Sequence, residues 1–135
     1  MRLQHIKFIL ILTIMFVFQA CNKGETQMSE QAVIIDFNYG STNITKLYAL
    51  EDELEQRLTN TSVGEFDGHE IAADGSGGTI YLYGTNAKQI YETIKDILTK
   101  NAIMNGAIVT LRYGPLEDNV QKEVFRITQG NGNAP

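Results

Sequence analysis

The segment TIYLYGTNAKQIYETIKDILT, residues 79–99, changes from a period of two to a period of 3.6 within a few residues. Residues 79–83 predict a β-strand in which Ile80 and Leu82 share one face. After three loop residues, residues 87–99 carry the clearest amphipathic stripe in the chain. The apolar positions of this stripe are Ala87, Ile90, Tyr91, Ile94, Ile97 and Leu98. The segment therefore predicts a strand that leads directly into a helix.

The same strand-to-helix pattern opens the globular part of the chain. Residues 32–39 (AVIIDFNY) predict a strand in which Val33, Ile35 and Phe37 share one face. Residues 45–59 predict a helix, because leucines recur there at spacings of three and four. The leucines of this stripe are Leu47, Leu50, Leu54 and Leu58, and the acidic residues expected on the solvent side are Glu51, Asp52, Glu53 and Glu55.

Three further strands complete the pattern. Residues 65–72 (EFDGHEIA) predict a weaker strand, which the Gly-rich segment 74–78 joins to residues 79–83 as a hairpin. Because segment 74–78 leads into a strand and has no lysine nearby, a hairpin turn is favoured over a phosphate-binding loop. Residues 107–113 predict a fourth strand, and residues 121–128 predict a fifth that returns antiparallel to the fourth.

The order of these elements predicts an α+β fold. Strand, helix, strand, strand, helix and strand, with one strand added at the C-terminus, favour a ferredoxin-like βαββαβ sandwich over residues 32–128. Right-handed crossovers place both helices on one face of an antiparallel sheet in this fold. We therefore expect the first and third strands to lie at the centre of the sheet.

The sheet face away from the helices is the first candidate site. If the apolar residues of each strand point at the helices, the intervening residues point away from them. The residues expected on this open face are Asp36, Asn38, Tyr81, Tyr83, Thr110 and Arg112. Tyrosines with an arginine are enriched in binding surfaces, so we predict contact with a protein or a small ligand here. The alternative is an Asp36–Arg112 pair and two tyrosines that merely cover the sheet.

His69 is the second candidate. It is the sole histidine after the opening segment, and Asp67 and Glu70 lie beside it. Regular strand alternation places Asp67 on the same face as His69 and Glu70 on the other. A small hydrolase could use His69 with Asp67 or Glu70, but a partly exposed histidine on an edge strand is favoured. We predict no catalytic residue, no bound metal and no cofactor.

The first 21 residues have the parts of an export signal. Arg2 and Lys7 make the first seven residues basic. The apolar run FILILTIMFVF follows at residues 8–18. Eleven residues of helix reach about 16 Å, roughly half of a hydrocarbon core, which disfavours a transmembrane helix. Cys21 follows shortly after the run and is the single cysteine of the chain, so no internal disulfide can form.

The sequence Phe18-Gln19-Ala20-Cys21 resembles the lipobox of bacterial lipoproteins. Ala20 matches the small residue that precedes the cysteine in that family, whereas Phe18 and Gln19 differ from the commonest pattern of leucine and a small residue. The resemblance implies that residues 1–20 are a signal peptide, and that Cys21 becomes the first mature residue with acyl chains on its sulfur. It also implies a lipid-anchored protein that faces the periplasm or the cell exterior.

A second resemblance covers about half of the mature chain. Its motifs are Asp67-Gly68-His69-Glu70, Tyr81-Leu82-Tyr83-Gly84 and Arg112-Tyr113-Gly114. They are similar to motifs of small, uncharacterised bacterial domains, and this similarity supports the predicted fold. It implies no activity.

The charge of the mature chain limits its partners. Removal of residues 1–20 leaves nine basic and sixteen acidic residues, a net charge of −7. Such a chain is unsuited to nucleic acid and to electrostatic adhesion on anionic lipid, so the lipid on Cys21 has to anchor it. Residues 21–31 are expected to be a flexible tether, and residues 129–135 a flexible tail.

These observations favour a membrane-tethered, non-enzymatic binding or accessory domain. The small hydrolase on His69 stays open as an alternative. So does an immunity or inhibitor protein, which would block a toxin or an enzyme on the same side of the membrane.

Overall fold

The computed structural model describes residues 30–129. The predictions for the signal peptide, for Cys21, for the tether up to residue 29 and for the tail from residue 130 lie outside the described residues. The described part contains β1 (Gln31–Asn38), α1 (Thr45–Thr61), β2 (Glu65–Ile71), β3 (Gly77–Gly84), α2 (Ala87–Lys100), the 3-10 turn Ala102–Met104, β4 (Ile108–Arg112) and β5 (Lys122–Arg126). No boundary of a predicted strand or helix differs from these by more than two residues. No helix within residues 30–129 combines the length and apolar character needed to cross a membrane.

The five strands form one antiparallel sheet in the order β2-β3-β1-β4-β5. The central strand is β1, where Ile35 pairs with Ile80 of β3 on one side and Val109 of β4 on the other. This arrangement confirms the predicted ferredoxin-like α+β fold, with β5 as the added strand beside β4.

The hydrophobic core lies between one face of the sheet and the two helices. Val33, Ile35 and Phe37 of β1 belong to it. All four leucines of the α1 stripe and all six apolar residues of the α2 stripe are buried there. Each buried leucine or isoleucine contributes about 1.5–3 kcal/mol through removal of apolar surface from water. These contacts fix which face of the sheet the helices cover.

Two helix ends, the start of α2 and the end of α1, are capped by hydrogen bonds. Asn86 precedes α2, and its side-chain oxygen accepts a hydrogen bond from the Gln89 N–H at 3.0 Å. At the end of α1, Ser62 adopts a left-handed conformation (φ 54°) and its N–H donates to the Leu58 carbonyl at 2.8 Å. A left-handed residue closes the helix, so α1 stops at Thr61 and turns toward β2.

One prediction for α1 is wrong. Glu51 was expected on the solvent side, but its side chain is buried, with 6% of its surface exposed. The physical reason is its position four residues after Leu47 and three before Leu54, which places it on the same helical stripe.

A β-bulge in β2 changes the direction of its side chains. The register shifts between Phe66 and Gly68, so that Asp67 is an extra residue, and Gly68 has a φ of +116° that side chains rarely adopt. After the bulge, His69 pairs with Ile80, whose side chain is in the core. The prediction that His69 shares a face with Asp67 is wrong, because it assumed unbroken alternation along the strand.

Candidate functional site: the open face of the sheet

The outer face is defined here as the face of the sheet turned away from α1 and α2. The strand registers align its residues in three rows that run from β2 to β5. The first row is Glu65, Tyr83, Ala32, Arg112 and Lys122; the second is Gly68, Tyr81, Ile34, Thr110 and Val124; the third is Glu70, Thr79, Asp36, Ile108 and Arg126.

All six residues predicted for the open face lie on this side of the sheet, but they form no single cluster. Tyr83 and Arg112 occupy the first row. Asn38 lies at the opposite end of β1, where it pairs with Gly77. Six residues of strand separate it from the first row, a distance of about 20 Å. Asn38 therefore belongs to the loop end of the domain and not to the tyrosine cluster.

Arg112 is buried on the outer face, with 4% of its surface exposed. Its Nε–H donates to the Gly114 carbonyl at 2.8 Å, and its guanidinium carbon lies 5.7 Å from the centre of the Tyr83 ring. Ala32 lies between them in the row and is too small to keep them apart. A guanidinium over an aromatic face is held by a cation–π attraction. Arg112 therefore orients Tyr83.

The Asp36–Arg112 pair that the sequence left open does not form. Asp36 lies two rows away, and its Oδ1 accepts a hydrogen bond from the Thr79 hydroxyl at 2.7 Å. The acidic residue at the Arg112 guanidinium is Glu30, at a distance of 4.0 Å.

A hollow of about 310 Å³ opens on the β2 side of the tyrosines. Its lining residues are Asp67, Gly68, His69, Glu70, Tyr81 and Tyr83. The hollow exists because Gly68 has no side chain, and a Cβ built there meets no atom within 4 Å. At its rim, the Tyr81 hydroxyl donates to Glu70 Oε2 at 3.1 Å. Burial, followed by this hydrogen bond and the charge of Glu70, raises the pKa of Tyr81, so its hydroxyl stays a donor.

Charge is divided across the outer face. The half formed by β2, β3 and β1 carries the carboxylates Glu65, Asp67, Glu70 and Asp36, and the β5 edge carries Lys122 and Arg126. Within residues 30–129 none of these six side chains makes a salt bridge. Val124 lies between the two basic residues of β5 and is 64% exposed.

The second candidate, His69, lies on the other side of the sheet. Its Nδ1 is 2.7 Å from Glu51 Oε1, so its acidic partner is neither Asp67 nor Glu70. Glu51 Oε1 is fully buried and has no other hydrogen-bond partner in the described part of the chain.

The Glu51–His69 pair joins α1 to β2. Burial raises the pKa of Glu51, and the charge and hydrogen bond of His69 oppose this effect without cancelling it. The Tyr48 ring lies 6.0 Å from the imidazole ring. Within residues 30–129 no group of three or more histidine, cysteine or acidic residues is arranged to hold a metal ion. The contact between Glu51 and His69 therefore holds α1 against β2.

Sequence reasoning missed Glu51, although its position in the leucine stripe was a visible signal. It also missed the hollow, for which the glycine at position 68 was the available sign. Comparison with protein-family models, curated proteins and solved structures finds no match to this chain. The functional interpretation therefore depends on the residues and their geometry.

Proposed function

We propose that this chain is a membrane-tethered lipoprotein whose domain is a non-enzymatic binding module. The observation that carries the proposal is the outer face, where Tyr81 and Tyr83 border a hollow among charged side chains that make no salt bridge within residues 30–129. Aromatic rings supply large contact areas at a low cost in side-chain entropy, and the surrounding charges select the partner. The domain makes contact through this face with a protein or a small ligand, and it needs no cofactor.

The anchor in this proposal is the lipid on Cys21. The ten residues from Cys21 to Gln31 span at most about 35 Å, so the first row of the outer face stays near the membrane. Each buried acyl methylene contributes about 0.8 kcal/mol, and two or three chains hold a protein stably on a membrane. A mature net charge of −7 adds no attraction to anionic lipid or nucleic acid.

The outer face is tested by photo-crosslinking on membranes. A photoreactive amino acid replaces Tyr81 in the full chain, and the matched control carries it at Glu53, an exposed residue of α1 on the opposite side. We expect covalent adducts from position 81 and few from position 53. Equal yields, or no adduct from the outer face, would show that this face is not the contact surface. The mass of the adduct distinguishes a second copy, another protein such as an inhibited enzyme, and a small ligand.

The anchor is tested separately on Cys21. We expect mass spectrometry of the mature N-terminus to find acyl chains on this residue, and Cys21→Ala to release the chain from the membrane fraction. We expect the released variant to keep its folded domain, because the hydrophobic core cluster is formed by residues 33–127. Mature protein with a free, unmodified Cys21 thiol rules out the lipid anchor and leaves the proposal for the outer face standing.

A further inference from the structure

The charged residues at the two edges of the outer face make no salt bridge among residues 30–129, although Glu70 accepts a hydrogen bond from Tyr81 and Arg126 donates one to the Gly106 carbonyl at 2.7 Å. The strand β1 is the middle strand of five, and β2 and β5 are the two edges. In the first row the edge residues are Glu65 and Lys122, and in the third row they are Glu70 and Arg126. In the second row, the hollow at Gly68 is opposite the exposed Val124. In each row, the residue on β5 is thus complementary in charge or shape to the residue on β2.

A two-fold axis parallel to β1 converts this pattern into contacts. When a second copy is turned about such an axis and laid on the outer face, its β5 lies over β2 of the first copy, and the rows keep their order. Lys122 of the second copy then lies over Glu65, and Arg126 of the second copy over Glu70. Symmetry repeats both pairs at the other edge, so the contact closes on itself as a dimer.

We propose that the partner of the outer face is a second copy of this chain. The proposal rests on the proposed function, because it assumes that the outer face is the contact surface. In the second row, Val124 of each copy enters the hollow beside Gly68 of the other. This contact removes from water an apolar side chain that is 64% exposed in the single chain. Face-to-face packing at a small angle is a common arrangement of two sheets.

The geometry of the tether agrees with this dimer. An axis parallel to β1 leaves the N-terminal ends of both β1 strands, at Gln31, on the same side of the pair. Both tethers then leave toward one membrane. An axis across the strands would send them in opposite directions, and it would also place Lys122 over Arg126 of the second copy. The charge pattern and the tether thus select the same axis.

The size of the face makes this a weak dimer in solution. Five strands about 4.8 Å apart and three rows about 7 Å apart give roughly 500 Å² for each copy, including side chains. Stable interfaces of ordinary size bury about 800 Å² for each partner. Attachment of both copies to one membrane raises their effective concentration, which compensates for a small interface. The dimer is therefore expected on the membrane and not in dilute solution.

Charge reversal with rescue tests the proposal. One variant of the full chain carries Lys122→Glu and Arg126→Glu, and a second carries Glu65→Lys and Glu70→Lys. Copies with two different C-terminal tags, each carrying the photoreactive amino acid at position 81, are expressed together and irradiated on isolated membranes. After solubilisation in detergent, the second tag is measured in the material purified through the first. We expect each variant to lose self-capture by about tenfold, because four attractions become repulsions. The two variants expressed together should capture each other as well as the wild-type copies do.

The control is Lys46→Glu with Lys88→Glu, which makes the same change of charge at exposed residues of the two helices. It should keep wild-type self-capture. The proposal is overturned if wild-type copies do not capture each other, if the two reversals leave capture unchanged, or if their mixture is not rescued. In that case, a photo-adduct between position 81 and a different protein would still support the outer face as the contact surface. The absence of any adduct from position 81 would contradict both the dimer and the proposed function.

Discussion

Asp36 is the residue whose charge opposes the proposed dimer. It lies on the central strand in the third row, so a two-fold axis along β1 brings it opposite Asp36 of the second copy. Two carboxylates that face each other repel, and the hydrogen bond from Thr79 at 2.7 Å holds this one in place.

Asp36→Asn should therefore strengthen self-association. The amide oxygen still accepts the Thr79 hydroxyl, while the repulsion between the two copies disappears. We expect a gain of a few-fold in two-tag capture, which corresponds to the 0.2–1 kcal/mol typical of single charge contacts. The matched control is Asp52→Asn, an exposed residue of α1 that should have no effect. An unchanged or weaker capture for Asp36→Asn would count against an axis through β1.

Glu51 and His69 show what a sequence alone could and could not provide at the level of single residues. The position of Glu51 on the leucine stripe was readable, but an acidic residue is normally assigned to solvent because burial of a charge is costly. Its partner is His69, at 2.7 Å. That pairing depends on a bulge two residues earlier in β2, which no spacing rule identifies.

The raised pKa of Glu51 predicts a pH-dependent stability. Its causes are burial, opposed by His69 of β2 and reinforced by Asp52 beside it on α1. The folded state holds the proton of Glu51 more tightly than the unfolded state does. Stability contributed by this group is therefore full at low pH, and it is lost as the pH rises from about 4.3, the ordinary pKa of glutamate, through the raised value.

Glu51→Gln removes this titration. Relative to the variant, the wild-type chain should lose free energy of unfolding across that pH range. The loss is about 1.4 kcal/mol for each tenfold difference in proton affinity between the folded and unfolded states. Urea unfolding followed by circular dichroism between pH 4 and 8 measures it, with Glu53→Gln, an exposed residue of the same helix, as the control. Parallel pH profiles for wild type and Glu51→Gln would mean that Glu51 does not titrate in this range.

Among the elements, the positions of all strands and helices were predictable, but the direction of the side chains along β2 was not. Period and length identified α2, and its six apolar residues are the buried ones. The strand β2 has no clean alternation because of its bulge, and Phe66 and His69 lie on the same side although they are three residues apart. Side chains alternate between the two faces only along a regular strand, so an inserted residue shifts every following side chain to the opposite face from the expected one.

Gly68→Ala tests the bulge directly. A φ of +116° is accessible to glycine and costs other residues about 1–3 kcal/mol. The added Cβ meets no atom within 4 Å, so the loss of stability comes from the backbone alone. We expect a lower free energy of unfolding by that amount, and Asp67→Ala in the same bulge should be close to neutral because Asp67 is exposed. Equal stability of Gly68→Ala and wild type would mean that the bulge relaxes easily.

For the whole molecule, the sequence predicted the ferredoxin-like topology and the side of the sheet that stays open. The alternation of hydrophobic periods of two and 3.6 indicated the order of strands and helices. The right-handedness of crossover connections then limited the number of possible sheet topologies. The pattern of charges across the outer face was not predictable, because it depends on the register of all five strands. Only the pairing of β2 and β5 with their neighbours places Glu65, Lys122, Glu70 and Arg126 in rows.

The most direct test of a covered outer face is the reactivity of two introduced thiols on the membrane. Val124→Cys places a thiol in the second row of the outer face, and Leu116→Cys places one in the loop before β5, where the side chain is 84% exposed. The wild-type chain gives the background from Cys21. On isolated membranes, we expect the thiol at position 124 to react with a maleimide several times more slowly than the thiol at position 116. After detergent extraction and dilution, the two rates should become similar. If the thiol at position 124 reacts on the membrane as fast as the one at position 116, the outer face is open and is not the contact surface.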